Sequence, residues 1–172
     1  MRINEKIFRK DLDEIGDQFE ILLPKRKDKE LEIQIDYSTS SNLTKENGGL
    51  TWIVPKDDHP FVFGQGQPIW ARSMFPCQDT PAVRATFTAQ VTAPKQFTIL
   101  MSALRVGREI VEGGKRIAKF SQKIPVQSYL IVFAVGNLVS KKIGKHDISV
   151  LSLENIKYKG KDHFFGLNPE IF

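Results

Sequence analysis

The dominant period along the chain is two. Leu31, Ile33, Ile35 and Tyr37 alternate with Glu32, Gln34 and Asp36, and Phe87, Ala89 and Val91 alternate with Thr86, Thr88, Gln90 and Thr92. A strand turns successive side chains to opposite faces, so each run predicts a strand with one buried and one wet face. The threonines suit a pleated surface, where a branched Cβ packs well. Other apolar runs predict strands over Glu20 to Leu23, Thr51 to Val54, Phe97 to Leu104, Ala118 to Ile124, Tyr129 to Val139 and Ile148 to Leu153. Within these, YLIVFAV (Tyr129 to Val135) is apolar on both faces, which predicts a central strand covered on each side and anchoring the core. Turn clusters punctuate the runs at Asn47-Gly48-Gly49, Glu112-Gly113-Gly114, Ala93-Pro94-Lys95 and from Pro55 to Pro60. No heptad is sustained, no repeat is visible and no linker divides the chain. The expectation is an all-β fold, an antiparallel sheet assembly or sandwich forming one domain over 1–172, with residues 145–172 as a C-terminal tail.

Composition and charge narrow the function classes. With 172 residues, 41% of them hydrophobic and 26% charged, the chain reads as an ordinary globular domain long enough to bury a core without metal or disulfide support. Its single cysteine excludes an intrachain disulfide and fits a reducing, cytoplasmic setting. The first twenty residues lack an apolar h-region, and no apolar run approaches the ~20 residues a membrane helix needs, so neither a signal peptide nor a membrane partner is expected. The net charge of +5 comes from short patches: Lys25 to Lys27, Lys141, Lys142 and Lys145, then Lys157, Lys159 and Lys161. Acids or turn residues flank each patch and no exposed aromatics interleave them, so they read as solvated lysines that protect strand edges and argue against nucleic acid as a partner.

Candidate chemistry is sparse. His59, His146 and His163 are isolated, and no HExxH helix exists, so the chain shows no zinc-ligand spacing. Cys77 has no base near it in sequence; prolines on either side make it read as a small buried apolar residue in a rigid loop rather than a nucleophile. The most informative stretch is Gly64-Gln65-Gly66-Gln67-Pro68-Ile69-Trp70-Ala71-Arg72. Glycines allow close approach of a backbone, and two carboxamides one residue apart offer donors and acceptors that could grip a peptide. The plainer alternative is a strand end whose Gln side chains bond to a neighbouring loop. Arg72 and Asp79 are close enough in sequence to pair across the intervening turn and fix that loop.

At these residues the chain resembles a known family. The segment GQGQPIWARSMFPCQDTPAVRATFTAQVTAPKQFTILMSALRV closely resembles the N-terminal β-domain of the zinc aminopeptidases that include leukotriene A(4) hydrolase and aminopeptidase B. The likeness rests on the QxQ segment, an Arg followed by FPCxDTP, and VRATF. It runs on through KFSQKIPVQSYLIVFAVGNLVSKKIG and back to LTWIVPKDDHPFVFGQGQ, roughly Thr51 to Gly144. The resemblance implies a saddle-like antiparallel sheet assembly lying against a thermolysin-like catalytic domain, with Gln65, Gly66 and Gln67 binding a peptide substrate near its N-terminal residue. It implies that Arg72, Pro76, Cys77, Asp79 and Pro81 hold the loop's shape. Pro68 stands where the family often has alanine, which removes one backbone donor from the site.

The family's GxMEN segment and its HExxH zinc helix follow this domain and are not in these 172 residues, and the opening residues enter the family pattern partway through. The expectation is therefore a fragment: a substrate-cleft domain with no zinc or catalytic residues of its own and inactive alone, whose partners are a peptide N-terminus and a catalytic domain. A sheet edge left open by missing strands would favour a homo-oligomer. The alternative expectation is a stand-alone β-sandwich that binds peptide or protein through Gln65 to Gln67.

Overall fold

The computed structural model describes residues 31–39, 49–53, 60–143 and 148–153. Within them lie ten strands: β1 (Leu50–Ile53), β2 (Phe61–Gly64), β3 (Arg84–Pro94), β4 (Thr98–Met101), β5 (Leu104–Arg105), β6 (Ile110–Glu112), β7 (Lys115–Gln127), β8 (Phe133–Gly136), β9 (Leu138–Ile143) and β10 (Ile148–Leu153). Every pairing is antiparallel. Two single 3-10 turns, Ala71–Ser73 and Ser128–Leu130, are the only helical pieces among the described residues. The fold is all-β, as the alternation implies.

The first sheet has the order β1-β2-β8-β4, so the apolar β8 lies between two neighbours, where a strand without a wet face belongs. In the second sheet β3, β7 and β5 lie side by side, and β6 also pairs with β7; β9 and β10 form a separate pair. β3 keeps the expected alternation: Phe87, Ala89 and Val91 are half-buried while Thr86, Thr88, Gln90 and Thr92 are exposed. The hairpin from β6 to β7 turns at Gly113 and Gly114, whose φ values of 56° and 76° demand the left-handed freedom that glycine supplies. Ile99 and Val135 of the first sheet meet Ala93, Ala118 and Phe120 of the second in one buried cluster, with Ile99 fully buried. This shared core ties the two sheets to each other.

Three sequence expectations are corrected. Leu31, Ile33, Ile35 and Tyr37 do not form a strand; the segment has no regular secondary structure and is mostly exposed, because no described strand pairs with it and alternation alone does not supply a ladder. Phe97 to Leu104 is two strands in different sheets. Ser102 breaks the run: its N–H donates to the Val132 carbonyl at 3.0 Å, and its hydroxyl donates to the Leu130 carbonyl at 2.6 Å and accepts from Val132 N–H at 3.0 Å. Tyr129 to Val139 also starts late, since Ser128–Leu130 is a 3-10 turn and the strand begins at Phe133. Glu20 to Leu23, the three histidines, the lysines at 25–27 and at 157–161, and most of the tail lie outside the described residues.

Candidate functional site

The Gln65-Gly66-Gln67 segment leaves the end of β2 and is held from three sides. Gln65 N–H donates to the Gly49 carbonyl just before β1. Gly66 is buried against the 3-10 turn that precedes β8: a Cβ built on it would stand 2.6 Å from the Tyr129 carbonyl oxygen and 2.7 Å from the Tyr129 Cα. Only glycine fits there, which gives the QxQ spacing a physical reason. The Gly66 carbonyl accepts from Trp70 N–H at 2.8 Å, folding Gln67 to Ile69 into a turn that contains a cis Gln67–Pro68 peptide. Gln65 and Gln67 flank the buried glycine and are both exposed. Among the described residues neither carboxamide makes a hydrogen bond.

Behind this turn the chain is pinned by polar contacts that sequence reasoning found only in part. Ser73 Oγ donates to the Trp70 carbonyl at 2.7 Å and accepts from Gly49 N–H at 2.7 Å, joining the 3-10 turn to β1. Arg72 and Asp79 do pair across the turn. Asp79 Oδ2 accepts from the Arg72 backbone N–H and from Arg72 Nε, both at 3.1 Å, and the Asp79 carbonyl accepts from the Arg72 guanidinium at 3.2 Å. Asp79 Oδ1 accepts from Ser128 Oγ at 2.9 Å, which ties the FPCQDTP loop to the turn at the end of β7. The Asp79 side chain is only 3% exposed. Burial alone would raise its pKa, but the hydrogen bonds from Arg72 and Ser128 and the guanidinium charge outweigh it and hold the carboxyl below its ordinary value.

Cys77 is exposed, contrary to the expectation of a buried apolar residue. The buried member of this loop is Asp79, whose bonds pull that side chain inward and leave the Cys77-Gln78 backbone on the outside. Partial desolvation of the sulfur, and then the charge of Asp79, push the thiol from 9.0 up to about 11. A thiol with such a pKa is almost wholly protonated near neutrality and is a poor nucleophile. Tyr37 is close enough that partial burial, followed by the charge a Cys77 thiolate would carry, raises its phenol as well. Pro76 is half-buried and Pro81 exposed; they bracket the loop between the turn and β3. Gly49, Ser73, Ser128 and Tyr129 act in this site without any local signal in the sequence; only the tertiary contacts bring them to it.

Among the described residues no group of three His, Cys, Asp or Glu side chains could hold a metal ion, and no helix is long and apolar enough to cross a membrane. The turn presents two exposed amides on a backbone held by Gly49, Tyr129 and Trp70.

Comparison with known proteins gives this geometry a context. The family model for the Peptidase M1 N-terminal domain matches residues 2–130. The chain is 38% identical over 137 residues to leukotriene A-4 hydrolase of Xenopus laevis, covering 75% of this chain and 22% of that protein. It is 34% identical over 128 residues to leucine aminopeptidase 2 of Emericella nidulans, covering 72% and 21%. Among solved structures it resembles native leukotriene A4 hydrolase from Saccharomyces cerevisiae, with a TM-score of 0.52 and 36% identity over 67% of this chain and 17% of that one. The chain thus spans about a fifth of the length of these relatives. The matched residues include the QxQ turn, the Arg72–Asp79 clamp and β1 to β7, and the chain belongs to the Peptidase M1 N-terminal domain family.

Proposed function

We propose that this chain is the substrate-cleft domain of a cytoplasmic zinc-dependent aminopeptidase and that Gln65, Gly66 and Gln67 bind the N-terminal end of a peptide. The observation that carries the reading is the pair of unengaged carboxamides on a turn whose backbone is fixed on three sides. A carboxamide oxygen accepts from a protonated amine, and its NH2 donates to a peptide carbonyl, so two such groups one residue apart suit a free N-terminus and the carbonyl next to it. Rigidity matters because the side chains lose less freedom when the backbone that carries them is already ordered. Arg72, Pro76, Cys77, Asp79 and Pro81 serve as the frame of this turn.

The described residues do not fit a zinc ion, so no step at the metal is assigned to them. On this reading the metal and the groups that act on the scissile bond come from a catalytic domain that packs against this one, residues 1–172 form one β-domain, and the chain alone hydrolyses nothing.

The test is an NMR titration of the isotopically labelled chain with a tripeptide bearing a free amine and with its N-acetylated form. The expected result is shift changes centred on Gln65 to Gln67 for the free amine and not for the acetylated peptide. Equal responses, or none, overturn the peptide-binding assignment. Hydrolysis of the peptide by the purified chain, with stoichiometric zinc, overturns the division of labour.

A further inference from the structure

A separate inference comes from the far side of the second sheet. β3 is 11 residues long and pairs with β7, and no other described strand lies on its second edge. Folded proteins ordinarily blunt such an edge with charge, proline or a covering element. β3 has arginine at its first position and proline at its last, and its register with β7 shifts between Ala85 and Phe87, but residues 85–93 contain no charge, no proline and no glycine.

The residue order of this strand is self-complementary. In an antiparallel pairing of two copies about a two-fold axis at Ala89, Thr88 faces Gln90, Thr86 faces Thr92, Phe87 faces Val91 and Ala85 faces Ala93. Hydroxyls then meet hydroxyl and amide on the wet face, and an aromatic ring meets a β-branched side chain on the other, both favourable cross-strand combinations. Charge points to a like copy rather than to an acidic partner. The chain carries +5, so copies repel in general, yet along this edge Arg84 falls opposite Pro94 and no like charges are opposed. An acidic partner would find no cation between residues 85 and 93 to pair with.

We propose that two copies of this chain pair antiparallel through β3 about a two-fold axis at Ala89, joining their second sheets into one. This interface does not depend on the substrate-cleft reading. An edge ~30 Å long on a sheet ~10 Å thick is small beside the ~800 Å² per partner of a standard interface, so the association is weak and is sought at high concentration.

Sedimentation equilibrium of the full chain over about 10 μM to 1 mM tests it, since an interface of this size sits in the weak range. The expected result is reversible dimerisation. Two double variants at exposed positions then test the register. T88E/Q90E sets Glu opposite Glu at both symmetric pairs while lowering the overall positive charge, and is expected to weaken the dimer about tenfold. T88E/Q90K sets Glu opposite Lys at both pairs and is expected to dimerise at least as well as the parent chain. Circular dichroism on each variant shows that the strands persist. A chain that stays monomeric throughout overturns the proposal, and slow amide exchange along β3 in that monomer would identify one of the chain's own segments as the cover. Stronger association of T88E/Q90E than of T88E/Q90K would show that net charge, not this register, governs self-association, and also overturns it.

Discussion

Asp79 holds a negative charge almost wholly shielded from water, and its partners come from two places: Arg72 seven residues back and Ser128 at the end of β7. Removing one member of a buried pair commonly costs ~3–5 kcal/mol, but Arg72 is one-third exposed and can be rehydrated, so Asp79→Ala is expected to cost about 2 kcal/mol. For a chain of this size that lowers Tm by about 4–8 °C in a thermal melt. Asp79→Asn removes the charge yet keeps an oxygen for Arg72, and its cost should be about half as large. The two carboxyl states also set the pH dependence. Because the folded carboxyl titrates below its ordinary value, its contribution is complete above about pH 4 and is lost as pH falls through the folded value. The gap in Tm between the parent chain and D79N should therefore be constant from pH 7 to about pH 5 and close below pH 4. A gap that persists at pH 2 would mean that Asp79 acts through shape and not through charge. The Arg72–Asp79 pair is legible in the sequence because both residues lie on one short loop. Ser128 is not, since forty-nine residues separate it from Asp79.

At the scale of elements, what is legible depends on whether a strand's environment resembles its own pattern. β3 reads correctly because threonine alternation corresponds to one wet face, whereas only Phe133 to Val135 of the apolar run Tyr129 to Val135 lies in β8, with a 3-10 turn ahead of it. The Leu31 to Tyr37 segment has an equally clear alternation and yet forms no strand, because a periodic pattern fixes which face would be buried and not whether a ladder forms. Ser102 and Ser128 end or delay strands through hydrogen bonds to distant residues, which no local pattern encodes. The QxQ turn is a mixed case: the glycine is visible in the sequence, but its reason, the Tyr129 backbone, is not. Two alanine substitutions separate these kinds of glycine. Gly113→Ala meets nothing within 4 Å and suffers only the left-handed φ of 56°, a loss of about 1 kcal/mol. Gly66→Ala drives a methyl into backbone atoms at 2.6–2.9 Å that have no rotamer to escape into, and should lose about 2–3 kcal/mol or displace the turn from Tyr129. Thermal melts of both variants check the order. A Gly66→Ala chain no less stable than Gly113→Ala would mean that the contact with Tyr129 is loose and that the carboxamides are not on a fixed turn.

For the whole molecule, the question is whether the sheet carrying the QxQ turn is stable by itself. Gln65 to Gln67 extends from the first sheet through β2, whereas the Asp79 clamp reaches Ser128 at the end of β7 in the second, so the rigidity of the turn depends on both sheets together. Their common ground is the buried cluster, in which Ile99 of β4 is completely enclosed and packs with Ala93, Ala118 and Phe120 from across the core. Truncating it removes apolar contacts on both sides at once. Ile99→Ala is expected to cost about 3 kcal/mol, the middle of the range for such a deletion, equivalent to roughly a hundredfold shift in the opening equilibrium. If the sheets form one cooperative unit, amides of β8 and of β7 lose protection by the same factor in native-state hydrogen exchange, and the exposed Leu104 of β5 serves as the control, since Leu104→Ala should change neither. Loss confined to β4 and β8 would make the two sheets separate units. The clamp at Asp79 would then hold the turn only while the second sheet is folded, and the order of the Gln65 to Gln67 turn would follow the second sheet's stability instead of the stability of the strand that bears it.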